Sequence, residues 1–527
     1  MTGKLLGPGS GSKQKPSSDA QSSDDDERTM PEEKLLLNDP KNLHVFSAHS
    51  LQSKGWSGWY KCHQRLPNWM PQRFVICVLA HFGFIFLYIM RSNMSLAIVR
   101  MTTPYSLLET DHLISQVDYD WSMKEQGIIL GSFFFGYILT QIPGGYLAVR
   151  YGGRMVFGLG VGFAAISSLL TPLFGHYLGF YGFVLARALC GICEGVTYPA
   201  IHAMWSHWAP PKERTTLVSG AFAGAYLGAA ISFTASSRDA SWEWLFLSAG
   251  LYSFIWTLLW FTWGNEYPEI DEVISEYELN YLTETVGAQQ YTQNPSIPWM
   301  KILLSYRVWA ICVCHFAANW GFYTILTELP TFMRHALHFH EGSLGNIAAL
   351  PFLGMGITAA FGGYLVDNTL LRCLNVTYTR KVTIALTFLA QMMFFFYAGK
   401  ATEGYEFMIC ICGALFFGGL SWAGFGANHL DIAPDYASIL LGITNTAGTI
   451  PGIISPIVTG YLVENKEELA SWSPVFLLSG YVYLVAGIYY IVFGTGERQD
   501  WADANEAVKL NSERKQSKIN DVESASD

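Results

Sequence analysis

The stretch FVLARALCGICEGVTYPAIHAMW (Phe183–Trp205) has the length and apolarity of a helix that crosses a bilayer, yet it carries Arg187, Glu194 and His202. An Arg or Glu near the membrane centre costs roughly 2.5–3.5 kcal/mol on insertion scales. Such residues are retained where they face a water-filled cavity or a partner, so this one segment points to a membrane protein with a polar interior. The same charges can also staple helices together, and the segment alone leaves both readings open.

The rest of the chain repeats the pattern. Of its 527 residues 51% are hydrophobic and only 14% charged, and the charges gather in short connectors between apolar stretches near the bilayer length. Twelve spans are expected, at 74–99, 125–149, 155–175, 180–205, 217–236, 244–263, 307–333, 344–366, 381–400, 406–428, 437–463 and 473–493. Lipid cannot satisfy backbone polar groups and nothing alternates as barrel strands do, so the predicted class is an all-α integral membrane protein.

Between spans six and seven, Asn265–Ser296 holds seven acidic residues and no Lys or Arg. It reads as a solvated linker carrying an amphipathic helix, and it divides the chain six plus six. An internal repeat supports that division: GGYLAVRYGGR (Gly144–Arg154) follows span two, and GGYLVDNTLLR (Gly362–Arg372) follows span eight. The expected organisation is a disordered head over 1–70, bundles over 71–263 and 306–495, the acidic linker 264–305 and a disordered tail over 496–527. Arg150, Arg154, Lys212, Arg214, Arg372, Arg380 and Lys381 gather on one side of the spans, which assigns that side and both termini to the cytoplasm.

Several function classes fall away. No basic patch suits nucleic acid, and no P-loop, nucleophile motif or metal-ligand set suggests an enzyme, a metal or a resident cofactor. Cys190-x-x-Cys193 looks like a redox or zinc pair but has no second pair nearby, so small buried residues and no disulfide framework are expected. The sequons at Asn93 and Asn375 fall in a span and on the cytoplasmic side, where neither is modified.

The membrane charges suggest an anion carrier. Counting residues from the outer ends, Arg91 in span one and Arg187 in span four lie at matched depth, about 10–12 Å down. Two cations at one level repel each other unless an anion sits between them. Glu194, seven residues beyond Arg187, lies about 10 Å deeper on nearly the same helix face, placed to exchange a proton as access alternates. A fixed ion pair with another helix is the competing reading. His202, His429 and Asp431 are expected near the cytoplasmic end, as gate residues or as structure.

The whole membrane region resembles the anion:cation symporters of the major facilitator superfamily, which include sialin, the vesicular glutamate transporters and type I sodium–phosphate cotransporters. The matching stretches are GSFFFGYILTQIPGGYLA (131–148), EGVTYPAIHAMWSHWAPPKER (194–214), NHLDIAPDYASILLGITNT (428–446) and GERQDWA (496–502). The resemblance implies two six-helix bundles about a central cavity, substrate-binding arginines at Arg91 and Arg187, and a coupling carboxylate at Glu194. The gating signature after span two, with Arg150 and Arg154, has Val149 where Asp is usual, while the second copy keeps Asp367. The glutamate carriers have a histidine at Leu130 and an arginine at Ala318, and sialin-like members an acid at Cys190. Glu328 is an acid outside the family pattern, a second coupling candidate or a cap on the outer cavity.

The expected function is symport of a small anion, such as inorganic phosphate or a sialic acid-like carboxylate, with Na+ or H+, by a monomeric unit. The alternative is a potential-driven organic-anion carrier or an anion channel. Glu32, Leu36 and Leu37 in EEKLLL fit an acidic dileucine signal read by a sorting adaptor. The expected membrane is the plasma membrane or an endolysosomal or vesicle membrane.

Overall fold

A computed structural model describes residues 70–102, 105–109, 112–116, 118–236, 241–286, 297–339 and 341–502. The sorting signal at Glu32, Leu36 and Leu37, and nearly all of the expected head, lie outside the described residues.

Eleven helices among these residues are long and apolar enough to cross a membrane. One of them, Gly153–Trp208, is 56 residues long and folds back at Gly179, whose φ of 54° is open to glycine and strained for most residues. It therefore makes two crossings, and the chain makes the twelve expected. We number them α1 (Gln72–Thr102), α2 (Met123–Tyr151), α3 and α4 (153–178 and 180–208), α5 (Arg214–Ser236), α6 (Trp242–Trp263), α7 (Tyr306–His335), α8 (Glu341–Asn368), α9 (Val376–Ala398), α10 (Gly404–Ile432), α11 (Ala437–Leu462) and α12 (Ser473–Phe493). Between α1 and α2 the connector forms a two-stranded antiparallel hairpin, Tyr105–Glu109 with His112–Gln116, which the sequence reading did not anticipate.

α8 packs along α5, and α11 along α2, so these pairs form the seam between the bundles. The GGYL repeat explains why they approach so closely. In each copy the first glycine faces its own bundle and the second faces the other. A Cβ on Gly145 would lie 2.7 Å from the carbonyl oxygen of Ser438, and one on Gly363 would collide with the Thr215 carbonyl. The repeat is thus the imprint of one packing rule used twice, small residues where helices of different bundles touch.

The acidic linker is less solvated than its composition suggests. Its helix Glu276–Val286 forms as expected, but Glu266, Asp271 and Glu278 are buried. Glu278 accepts from the backbone N–H groups of Gln72 (2.8 Å) and Arg73 (3.1 Å), two unsatisfied donors at the start of α1, and also pairs with the Arg73 guanidinium at 2.8 Å. Glu266 does the same for α3, accepting from Gly153 at 2.9 Å and Arg154 at 2.6 Å. Burial raises the Glu266 carboxyl above its ordinary range, and the two amide donors oppose that rise. Residues 496–502, assigned above to a disordered tail, instead form a turn held by the Gln499 N–H on the Ile432 carbonyl at 2.9 Å.

Two outcomes follow from this packing. Gly363→Val should push α5 and α8 apart, so spin labels across the seam should report a longer distance at that end; an unchanged distance would remove the glycine from the account. Glu278→Ala should lower stability by about 1–2 kcal/mol through loss of the cap, seen as a reduced thermal midpoint in detergent.

Candidate functional site

The sequence-predicted arginines do meet. The Arg91 and Arg187 guanidiniums lie 4.8 and 4.7 Å from the centroid of the same ring, Phe133 on α2. Both are buried, at 5% and 4% exposure, and Glu194 is wholly so.

The carboxylate corrects the expected layout. Glu194 Oε2 accepts from Arg91 Nη2 at 3.0 Å and Nε at 3.1 Å, so in this conformation Glu194 and Arg91 are an ion pair, not levels separated by about 10 Å. Side-chain direction is the reason. Helical side chains slant toward the N-terminus of their own helix. α1 and α4 run antiparallel, so two arginines with Cα atoms at one depth reach in opposite directions. Arg91 reaches toward the linker side to Glu194, and its Nη1 donates to the hydroxyls of Tyr88 (3.2 Å) and Tyr323 (3.3 Å). Arg187 reaches away from the linker side, donating to the backbone carbonyls of Met90 (3.2 Å) and Arg91 (3.0 Å) on α1, which point that way along their helix.

The two cations are therefore unequal. Arg91 has a carboxylate, three rings within 4.8 Å and a hydroxyl from the second bundle, Tyr323 on α7. Arg187 has two carbonyls, one ring, an Nε with no acceptor and no ion-pair partner among the described residues. Two guanidiniums and one carboxylate leave one positive charge uncompensated in the membrane interior, a strong attractor for one anionic group. Cys190 donates its thiol to the free Glu194 oxygen at 3.4 Å, and Tyr198 donates to the Tyr88 hydroxyl at 3.3 Å. Sequence reading had passed over these tyrosines, since nothing in a span shows which way a phenol points.

Deeper along the seam, His202 shares its Nε2 with the Gly426 carbonyl at 3.1 Å, and its ring lies 5.4 Å from that of His429. His429 and His315 both reach Thr444 Oγ1, at 2.8 and 3.3 Å. His315 was missed above, although a histidine in the apolar run AICVCHFAANW was a visible signal. Gly426 closes a π-helical turn, Trp422–Gly426, which widens α10 and leaves the Gly426 carbonyl facing His202 across the seam.

At the end where the linker lies, Asp431 accepts from Arg380 of its own bundle at 2.7 Å and from Arg214 of the other at 3.0 Å. Asp367 accepts from the Thr216 N–H and hydroxyl at 2.7 and 2.8 Å, capping the start of α5 across the seam. Val149 supplies no such group in the first copy, so the latch is one-sided. Arg154 donates to the Phe261 carbonyl at 2.6 Å, within its own bundle, and Arg150 lies exposed over the Tyr151 ring. Glu328 is half-buried toward the far end of α7, with the Thr327 hydroxyl at 3.4 Å. Of these contacts, Arg214–Asp431 and Asp367–Thr216 tie the two bundles together at the linker-side end.

Comparison with known proteins agrees with the architecture. The family model of the Major Facilitator Superfamily matches residues 80–456, with a second match over 311–519. Sialin of Ovis aries is 39% identical over 466 residues, covering 83% of this chain and 94% of its own length, and sialin of Homo sapiens 38% over 451 residues, covering 82% and 90%. Vesicular glutamate transporter 1 of Bos taurus is 34% identical over 448 residues, covering 83% and 79%. Among solved structures, a proton:xylose symporter bound to 6-bromo-6-deoxy-D-glucose shares the fold at a TM-score of 0.62 and 16% identity, over 81% of this chain and 97% of that one. The chain belongs to the Major Facilitator Superfamily, in the anion:cation symporter family that its sequence resembles, and is a multi-pass membrane transporter.

Asp431→Asn should leave Arg214 and Arg380 buried without their shared carboxylate. A loss of about 3–5 kcal/mol is expected, together with easier labelling of cysteines placed in the linker-side seam. Wild-type stability and labelling in that variant would show that the lock closes nothing.

Proposed function

We propose that this transporter moves a small organic monocarboxylate together with one proton, by alternating exposure of the Arg91–Arg187 site. The observation that carries this reading is the inequality of the arginines. Arg187 offers an unspent charge to a carboxylate, while Arg91 is held by Glu194. Protonation of Glu194 releases the Arg91 fork, which then closes on the second carboxylate oxygen; deprotonation retakes Arg91 and expels the anion. Proton and substrate are thereby tied to one guanidinium.

Proton coupling suits the surroundings better than sodium, which prefers a cage of several oxygens. The Glu194 oxygens face a guanidinium and a thiol, and a thiol is a poor ligand for a hard cation. With Glu194 still ionised, the one net positive charge that meets the arriving solute matches a monoanion better than a phosphate dianion. The leucine and alanine at positions 130 and 318, where the glutamate carriers have charged or titratable residues, argue against glutamate. The basic, linker-bearing face is taken as cytoplasmic, and the transport unit as a monomer. One proton with one monoanion carries no net charge, so membrane potential, which contributes about 2.3 kcal/mol per charge per 100 mV, neither drives nor opposes it.

Purified protein in liposomes tests the scheme, with sialic acid, glutamate, phosphate and urate offered under separate proton and sodium gradients. A monocarboxylate should accumulate with protons and without sodium. Arg187→Ala should abolish uptake in a folded protein. Glu194→Gln should keep Arg91 free, sparing counterflow while removing dependence on the pH gradient; retained dependence would defeat the coupling assignment. Glu328→Gln beside it apportions any share held by the second acid.

A further inference from the structure

Away from this site, the helix Trp299–Leu303, the first turn of α7 and the turn Asp500–Ala502 enclose a surface cleft of about 480 Å³. Its walls present Lys301, Ser305, Arg307, Gln499, Asp500 and Trp501. Arg307 is half-buried, with Nη1 donating to Gln499 Oε1 at 2.9 Å and its guanidinium 5.6 Å from the Tyr306 ring centroid. Lys301 and Asp500 are both exposed and have no hydrogen-bond or ion-pair partner among the described residues.

Beside these charges lies apolar surface: Met300 is 68% exposed and Leu304 75%, with Trp299, Leu303 and Trp309 also open. In water such a patch invites aggregation, but where a membrane helix begins it is where aromatic rings and acyl chains meet headgroups. α7 begins at Tyr306, so the cleft lies at headgroup level on the linker side.

We propose that this cleft binds an anionic aminophospholipid of the phosphatidylserine class from the linker-side leaflet. Two cations and one carboxylate match a headgroup with two negative groups and one ammonium. Lys301 and Arg307 take the phosphate and carboxylate oxygens, Asp500 takes the ammonium, and the acyl chains lie over Met300, Leu303 and Leu304. Gln499 binds Arg307 through its side chain and Ile432 through its backbone, so the cleft shares a segment with the neighbour of Asp431.

The test is native mass spectrometry of the full-length protein, delipidated and titrated with phosphatidylserine, phosphatidylglycerol or phosphatidylcholine. Phosphatidylserine should be retained in preference to phosphatidylcholine, and Lys301→Gln with Arg307→Gln should weaken it about fivefold per cation, or about thirtyfold together. The pair Lys301→Arg and Arg307→Lys should retain it, which separates loss of charge from loss of folding. Asp500→Asn should abolish the preference for phosphatidylserine over phosphatidylglycerol. Equal retention of phosphatidylserine and phosphatidylcholine by the unmodified protein, undiminished binding in the doubly neutralised variant, or a preference surviving Asp500→Asn would overturn the assignment.

Discussion

A buried carboxylate that one arginine has already claimed sets the terms for the rest of this molecule. The Arg91–Glu194 pair removes two charges from the lipid's account and leaves Arg187 with carbonyls and a phenyl face. A membrane protein tolerates one uncompensated guanidinium only where burial by surrounding helices supplies dipoles and π faces, and α1, α2 and α4 are packed to do so. The Tyr323 hydroxyl extends this arrangement to the second bundle.

Around that centre the polar contacts fall into two kinds. Glu266 and Glu278 cap helices of the first bundle and bind the linker to it. Asp367 and Asp431 cross the seam and bind bundle to bundle. In the alternating exposure proposed above, the first kind has no reason to break, while the second must break for the linker-side end to open. Close glycine contacts run beside these crossing bonds, and together they define which surface separates.

Much of this was legible in the sequence. Apolar length identified the spans, and the GGYL repeat marked the division into halves, though not that its second glycines line the seam. The charged residues of Phe183–Trp205 marked the candidate site because lipid makes every such residue an exception. What escaped had a common cause: the sequence yields Cα spacing, and the missed features depend on where side chains end. Counting depth along α1 and α4 placed Arg91 level with Arg187, but the opposite slant of antiparallel helices gave their guanidiniums different partners, Glu194 for one and the carbonyls of α1 for the other. Acidic composition made the linker look solvated, whereas three of its carboxylates are buried, two of them on helix amides that no composition reveals. His315 and the tyrosine hydroxyls escaped for the same reason, since a span's sequence does not say which face meets the seam.

If Arg187 receives the substrate as proposed, its bonds to the Met90 and Arg91 carbonyls bear on selectivity. A solute reaching this guanidinium displaces acceptors already in place, so occupancy is an exchange, and only a stronger acceptor than a peptide oxygen gains by it. Esters and amides of the same shape offer no more than the backbone they would replace. For the anion binding proposed above, discrimination against uncharged look-alikes would come from these resting contacts of the first helix, with no dedicated residue to repel them.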